Sequence, residues 1–419
     1  MSKNTLHRSL LLMVAMTLSA LAVAAPKPAP SKNAASKTPA SKSSEPNAGA
    51  VEIKWSASSG LGYDSNAHQA PSAAYFDFSA GKNVTPQAKS GFFIPYAVKM
   101  EADKKTNLNN KLTGSASLDG STYQSGLSNA NEYNLDISGG MEHVLNRKGK
   151  VENTVYVGAV VGKHKQVYVD HDSGASKAST AGQTAGTDIS GRYSYTSMGV
   201  EAAYKHRTGM IDYGFDGQYL INDYEDPVVV SQEDHTSLKV GADAGILVAQ
   251  QTKLNFSVKH TVLDYSKRNA RDSLGVLSVN NPLLLYTYDQ IGVSLRHRIS
   301  EQWLVYGDFD RTQRVDDNVG YNDYNQNKIG GRILFEAGRI KGRMGLHHWT
   351  RDYPNAFAFD KAGQPAKTYS GDDLKVKAEL ERTKNSAYWA ELVYDAQTST
   401  DLRYDYVRSI IMAGMSWAY

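Results

Sequence analysis

Charged side chains recur at every second position along several strand-like runs of this 419-residue chain. Within residues 210–222, Asp212 and Asp216 alternate with apolar residues such as Ile211. A period of two places the charged and the apolar side chains on opposite faces of a β-strand. Carboxylates on one face can order ions and polar solutes, whereas covalent catalysis also needs a nucleophile beside a base. The chemistry that this pattern predicts is therefore electrostatic guidance of solutes.

The two signs of charge are distributed unevenly along the chain. The polar faces of early runs carry the acidic residues Asp119, Asp136, Glu142, Glu201, Asp212, Asp216 and Asp243, and those of later runs carry the basic residues Lys259, Arg296, Arg298, Arg332, Lys341, Arg343, Lys375 and Lys377. If the strands close into a barrel, the two groups form opposed walls of its lumen. This arrangement resembles the charge separation of general porins, which implies a field across a water-filled passage. The alternative is that these charges only solvate the interior, or pair across it as a plug.

Three histidines are the residues that most resemble part of a catalytic or metal site. His171 stands between Asp170 and Asp172, but in a Gly/Ser-rich stretch we expect a solvated side chain rather than an acid–base pair. His347 and His348 are adjacent, so on a strand they face opposite ways and cannot bind one metal ion. No phosphate-binding loop or nucleophile elbow is present in a usable context. The sequence predicts no enzyme, no cofactor and no metal site.

Alternating runs and breaks organise the chain from residue 51 onward. About sixteen runs of ten or more residues begin near 51, 91, 109, 132, 150, 191, 210, 236, 253, 284, 301, 324, 339, 372, 386 and 403. Short breaks alternate with long ones, as in barrels with short periplasmic turns and long extracellular loops. The pattern predicts an all-β fold, a transmembrane antiparallel up-and-down β-barrel over residues 51–419. A soluble sandwich or propeller is the alternative, but its strands are typically about five or six residues long.

The last residues of the chain form an amphipathic strand. Ile411, Met415, Trp417 and Tyr419 share one face, and the aromatic pair stands at its end, where a membrane interface holds such rings. The run resembles the C-terminal assembly signal of Gram-negative outer-membrane β-barrels. That resemblance implies a closing strand and a barrel-assembly machinery as partner. The alternative is the last strand of a soluble β-protein.

The N-terminus predicts export from the cytoplasm. Residues 1–24 combine a basic start, a short apolar core and the Ala-Val-Ala of a signal peptide. Residues 25–50 are rich in Ala, Pro, Ser and Lys, which predicts a disordered periplasmic tether, either plain or touching peptidoglycan or a periplasmic partner. Cysteine is absent and the formal net charge is only +3, which argues against a disulfide framework and against nucleic acid as partner.

Two further segments bear on function. The string Gly60-Leu-Gly-Tyr-Asp-Ser-Asn66 is similar to the barrel opening of surface lipoprotein assembly modifiers and of exopolysaccharide-export barrels. Its plain interpretation is a strand end capped by turn-forming residues. The loop at 170–190 has the ordinal position of the constricting loop of porins but lacks its acidic and proline-marked sequence.

The sequence as a whole predicts a barrel in the outer membrane of a Gram-negative bacterium, in contact with its lipid and lipopolysaccharide. The expected function is that of a porin-like channel for passive diffusion of small polar solutes. The alternatives are an export barrel for an exopolysaccharide or surface lipoprotein, and a non-conducting barrel whose long loops bind a ligand.

Overall fold

The computed structural model describes residues 50–78, 81–149, 151–168, 171, 188–226 and 232–419. The predicted signal peptide, nearly all of the predicted tether and most of the loop at 170–190 lie outside these residues. Within the part of the chain that is described, no helix is long and apolar enough to cross a membrane.

Eighteen β-strands make up nearly all of the regular structure in the described residues. They are β1 Val51–Asp64, β2 Tyr75–Asp77, β3 Lys82–Val84, β4 Gly91–Lys105, β5 Asn110–Tyr123, β6 Glu132–Lys148, β7 Val151–Gln166, β8 Tyr195–Arg207, β9 Ile211–Tyr224, β10 His235–Ala249, β11 Thr252–Asn269, β12 Leu283–Arg298, β13 Trp303–Asp316, β14 Tyr324–Ala337, β15 Ile340–Phe357, β16 Ala366–Thr383, β17 Ser386–Ser399 and β18 Tyr406–Ala418. β1 and β4–β18 form one closed antiparallel barrel of 16 strands, which confirms the predicted fold class. β2 and β3 pair separately as a small hairpin in the first long loop.

The alternation of the sequence explains why the sheet closes with its apolar side outward. In β9, Ile211 and Phe215 are 47% and 55% exposed, whereas the intervening Gly214 is buried. Barrel strands of 13–18 residues exceed the roughly 9–11 residues that a tilted strand needs to cross a bilayer. Closure pairs the backbone of every strand on both sides, so no open edge remains in the wall.

The barrel strands begin within about four residues of the predicted positions, apart from β16, and one hairpin was not predicted. β16 begins at Ala366 rather than near 372, because Ala366 pairs with Phe357 beyond an irregularity in the β15–β16 register. The β2–β3 hairpin was not predicted, because its three-residue strands are too short to show a period. The connections alternate between short turns and long loops along the whole barrel, as predicted.

The C-terminal run is the strand that closes the barrel. Within β18, Ile411 is paired with Tyr63 and Met415 with Ser59, both in β1. At the chain end, the backbones of Trp55 and Tyr419 exchange two hydrogen bonds of 2.9 Å. The rings of these two residues are stacked with their centroids 4.8 Å apart. Because β18 has β1 and β17 as neighbours, the sheet has no free edge at this seam.

We expect Tyr419→Asp to reduce the amount of folded protein in the outer membrane several-fold. The substitution removes the stack on Trp55 and places a charge at the end of the apolar outer face, where it is costly. Heat-modifiable protein in membrane fractions measures the effect. Leu108→Asp is the matched control, because Leu108 is 95% exposed in a short turn. Equal levels of the two variants would contradict a role of Tyr419 in assembly.

Candidate functional site: the charged lumen

The structure places every predicted wall charge on the inner face of the barrel. In β12, Ile291 and Val293 are 52% and 40% exposed on the outer face, so Arg296 and Arg298 face inward. The pairing registers extend this assignment from strand to strand, because directly paired residues share a face. The same reasoning places inward Asp119, Asp136, Glu142, Glu201, Asp212, Asp216 and Asp243 from β5–β10, and Lys259, Arg332, Lys341, Arg343, Lys375 and Lys377 from β11 and β14–β16.

The acidic wall retains several carboxylates without a cation partner. Glu201 accepts a 3.0 Å hydrogen bond from the Tyr156 hydroxyl, and Asp119 accepts one of 3.1 Å from the Asn134 amide. Two acids of this wall contact a lysine: Glu142 lies 3.9 Å from Lys111, and Asp212 lies 2.6 Å from Lys253. Asp136 lies 3.4 Å from the His164 imidazole. Among the described residues, Asp216 and Asp243 form no ion pair. This wall therefore keeps a negative excess.

The basic wall is partly neutralised by neighbours on the same side. Lys341 lies 3.2 Å from Glu381 and 3.6 Å from Glu336, while Lys375 pairs with Glu391 at 2.7 Å and Lys377 with Glu379 at 2.6 Å. Arg332 stacks on the Tyr306 ring, 4.9 Å from its centroid. Lys259, Arg296, Arg298 and Arg343 form no ion pair with any described residue. These four side chains therefore leave positive charge on this wall that no described residue compensates.

The observed pairs do not bridge the lumen. The pair of Lys253 with Asp212 joins β11 to β9, and that of His347 with Asp308 joins β15 to β13, each across a single intervening strand. No ion pair between described strand residues reaches the opposite wall. Among the described residues, the acidic and basic walls therefore do not neutralise each other directly, as they would in a plug.

Recesses of opposite charge lie along the two walls. One cavity of about 340 Å³, near the short turns, is lined by Arg298, Lys341, Arg343 and Lys377 together with three glutamates. Another of about 320 Å³ is lined by Glu101, Asp103 and Glu142 with Lys205 as an opposing charge. A third, of about 420 Å³, spans the inner faces of β10–β15. Polar, charged recesses of this kind hold water and small ions rather than apolar ligands.

Three long loops pack together at the other end of the barrel. The Tyr75 ring at the β2–β3 hairpin lies 5.8 Å from the Phe359 ring, and the Ser72 amide donates a 2.7 Å hydrogen bond to the Asp405 carbonyl. Although burial opposes it, the cations Lys367, Arg271 and Arg403 hold the pKa of Asp360 below its ordinary value. Asp360 is therefore ionised at neutral pH, and its ion pairs with Lys367 and Arg403 stabilise this end of the barrel.

The histidines singled out from the sequence lie apart. His171 contacts the first long loop, with its Nδ1 atom 2.6 Å from the His68 carbonyl oxygen. Its flanking aspartates lie outside the described residues. His347 faces inward toward Asp308, and His348 faces outward, where it lies 2.9 Å from Asp372. The two adjacent histidines thus face opposite sides of the wall, as their spacing requires.

A buried charge cluster at the seam was not recognised from the sequence. Asp64 is fully buried and accepts hydrogen bonds of 2.6 and 3.0 Å from the Arg408 guanidinium and of 2.7 Å from the Tyr123 hydroxyl. The Asn66 side chain donates to the carbonyls of Ala70 and Val407. The Asp-Ser-Asn string thus ties β1 to β18 at the loop end. Its resemblance to surface lipoprotein assembly modifiers and export barrels is not confirmed, and its strand-end interpretation describes the contacts better.

The inward-facing tyrosines were also not recognised from the sequence. Many tyrosines face inward, among them Tyr286 and Tyr288 of β12. The alternation already indicates this orientation, because both tyrosines are an even number of positions from the inward-facing Arg296 and an odd number from the outward-facing Ile291.

Comparison with known proteins gives no family. No family model matches the chain, and no curated protein matches its sequence. Solved structures match in architecture alone. One is a loop-deletion mutant of OmpT, an outer membrane protein of Vibrio cholerae, with 9% sequence identity and a TM-score of 0.45 over 89% of this chain and 100% of that chain. Another is the anion-selective porin from Comamonas acidovorans, with 11% identity and a TM-score of 0.45 over 88% of this chain and 99% of that chain. A bacterial polysaccharide outer membrane secretin matches at 9% identity and a TM-score of 0.44 over 88% of this chain and 98% of that chain.

Proposed function

We propose that the barrel is an outer-membrane channel through which small polar solutes diffuse passively along a charged lumen. The observation that carries this proposal is the separation of unpaired acids and unpaired bases on different parts of the inner wall. Asp119 on β5 and Glu201 on β8 have no ion pair with any described residue. Around the 16-stranded barrel, β5 lies seven strands from β12, which carries Arg296 and Arg298, and β8 lies seven strands from β15, which carries Arg343. Separated charges on facing walls produce a transverse field that orders water and dipolar solutes.

The outer surface supports the proposed location. Large apolar side chains remain exposed around the whole wall, for example Val98 at 48%, Val200 at 57% and Ile329 at 59%. Exposed apolar area on this scale is stable in lipid and prone to aggregation in water. We place the long loops at the cell surface and the start of β1 and the end of β18 on the periplasmic side, with the C-terminal strand as the contact for assembly. We assign no catalytic reaction and no cofactor to the lumen.

Swelling of proteoliposomes tests the proposal. Liposomes that contain the folded protein should swell in isosmotic solutions of small sugars and amino acids, and more slowly as the solute becomes larger. Protein-free liposomes report the background. Liposomes with confirmed heat-modifiable protein that swell no faster than that background would contradict the channel.

A further inference from the structure

A continuous row of aromatic rings follows the inner wall close to the long loops. The row, called the aromatic arc below, consists of His164, Tyr195, Tyr224, His235, Tyr265, Tyr286, Tyr288, Tyr324, Tyr353, Tyr369 and Tyr404. Successive ring centroids are 4.4 to 6.4 Å apart. With neighbouring strands about 4.8 Å apart, an arc from β7 to β16 is roughly 40 Å long.

The arc has a buried layer and a layer that faces the lumen. Tyr265 and Tyr286 are only 5% and 4% exposed and pack against Ala270 and Leu284 as a support. Tyr288, Tyr353 and Tyr369 are half-buried and keep part of their rings accessible. Tyr404, at the end of the arc, is 36% exposed. The accessible rings therefore form a track on a rigid backing.

Cations lie along this track. Strand β13 contributes no ring to the arc, and its Arg314 lies at that point instead. The Arg314 guanidinium is 4.3 Å from the centroid of the Tyr286 ring and 4.5 Å from that of the Tyr324 ring. Arg351 lies 4.7 Å from the Tyr324 centroid and donates a 2.7 Å hydrogen bond to the Gln326 side-chain oxygen. Within the described part of the chain, no carboxylate lies at ion-pair distance from either arginine. Arg314 also donates a 2.9 Å hydrogen bond to the Asn322 carbonyl oxygen, so its guanidinium is engaged within the protein. Arg351 is the cation of the track that can pair with an anionic group.

The phenol groups leave hydrogen-bonding capacity unused. Within the described residues, no hydrogen-bond partner is found for the hydroxyls of Tyr195, Tyr224, Tyr265, Tyr286, Tyr324 and Tyr369. None of these hydroxyls belongs to the buried side-chain atoms that lack a partner, so each one reaches the lumen and can exchange a hydrogen bond with water or with a ligand. A row of rings with free hydroxyls and a flanking guanidinium combines apolar stacking, hydrogen bonding and charge along one line.

We propose that the aromatic arc binds an extended acidic oligosaccharide. The proposal rests on the proposed function, because it places the sugar chain in the same lumen. The C–H faces of sugar rings stack on aromatic rings, their hydroxyls exchange hydrogen bonds with phenols, and a carboxylate pairs with a guanidinium such as that of Arg351. An arc of this length contacts several sugar units at once, which favours a chain over a single sugar.

Blockade of the open channel tests this binding site. Hexagalacturonate added at the loop side should interrupt the current of the intact protein in a concentration-dependent way, and neutral maltohexaose should do so more weakly. We expect Y353L/Y369L and, separately, R351Q to weaken the blockade about tenfold, the effect of losing roughly one good contact. Y213L/Y219L is the matched control, since these tyrosines are 37% and 42% exposed on the outer face.

Calorimetry in detergent keeps the two proposals separable. Hexagalacturonate binding that is weakened about tenfold in Y353L/Y369L would support the arc even if the protein does not conduct. A conducting protein that binds neither hexamer, or binds both equally, would overturn the acidic-oligosaccharide site and leave the channel standing. Unchanged binding in both arc variants, with correct folding shown by heat-modifiability, would also overturn it.

Discussion

Replacing Asp64 by Asn should destabilise the folded barrel by about 3–5 kcal/mol, the usual cost of leaving one partner of a buried ion pair without the other. Asp64 is fully buried, and the Arg408 guanidinium approaches it to 2.6 Å from β18, the neighbouring strand at the seam. The substitution removes the charge that pairs with Arg408 and weakens the bond from the Tyr123 hydroxyl. Urea unfolding in detergent, followed by tryptophan fluorescence, measures the loss.

The double variant D64N/R408M distinguishes an ion pair from a general packing defect. If the two side chains act together, the double variant should lose clearly less than the sum of the two single variants. Asp352→Asn is the control for the chemical change, because Asp352 is exposed on the outer face of β15. A D64N protein as stable as D352N would show that the cluster does not hold the seam.

The second large effect is on ion selectivity. R296E/R298E changes two unpaired positive charges of the basic wall to negative ones. In a potassium chloride gradient, we expect the reversal potential to move toward that of potassium, with the cation-to-anion permeability ratio rising about threefold to tenfold at 0.1 M salt. The effect should nearly vanish at 1 M salt, where the Debye length is about 3 Å.

Folding and screening controls accompany this experiment. Neither Arg296 nor Arg298 is buried, so the variant should fold normally. K104E/K384E makes the same change in net charge outside the lumen, on the outer face of β4 and in a short turn. Equal reversal potentials for R296E/R298E and K104E/K384E would mean that the basic wall does not face the ion path.

The alternation of apolar and polar residues explains why the barrel wall could be predicted from the sequence. Each barrel strand is long enough for alternation to separate its two faces, and the registers place Asp216 and Arg296 on the face opposite the exposed apolar residues. The contact between Asp64 and Arg408 joins residues 344 positions apart. Such a pair follows from closure and register, which no local pattern contains. The aromatic arc similarly depends on tyrosines that meet only when ten strands are aligned.

The alternating pattern also could not predict short or irregular segments. The β2–β3 hairpin is held by packing of Tyr75 on Phe359 from a distant loop, and Phe359 has a backbone φ of +59°, which local propensity disfavours. Burial in the loop cluster outweighs that preference, because Phe359 is only 4% exposed. Tertiary contacts of this kind decide loop structure, whereas alternation decides the wall.

Single-channel recording from the full-length protein in a planar bilayer tests the central claim, an open charged lumen, most directly. We expect steady ohmic current steps that scale with bulk salt conductivity once the wall charges are screened. A bilayer that stays silent after insertion of heat-modifiable, folded protein would contradict an open lumen, although the barrel fold would stand.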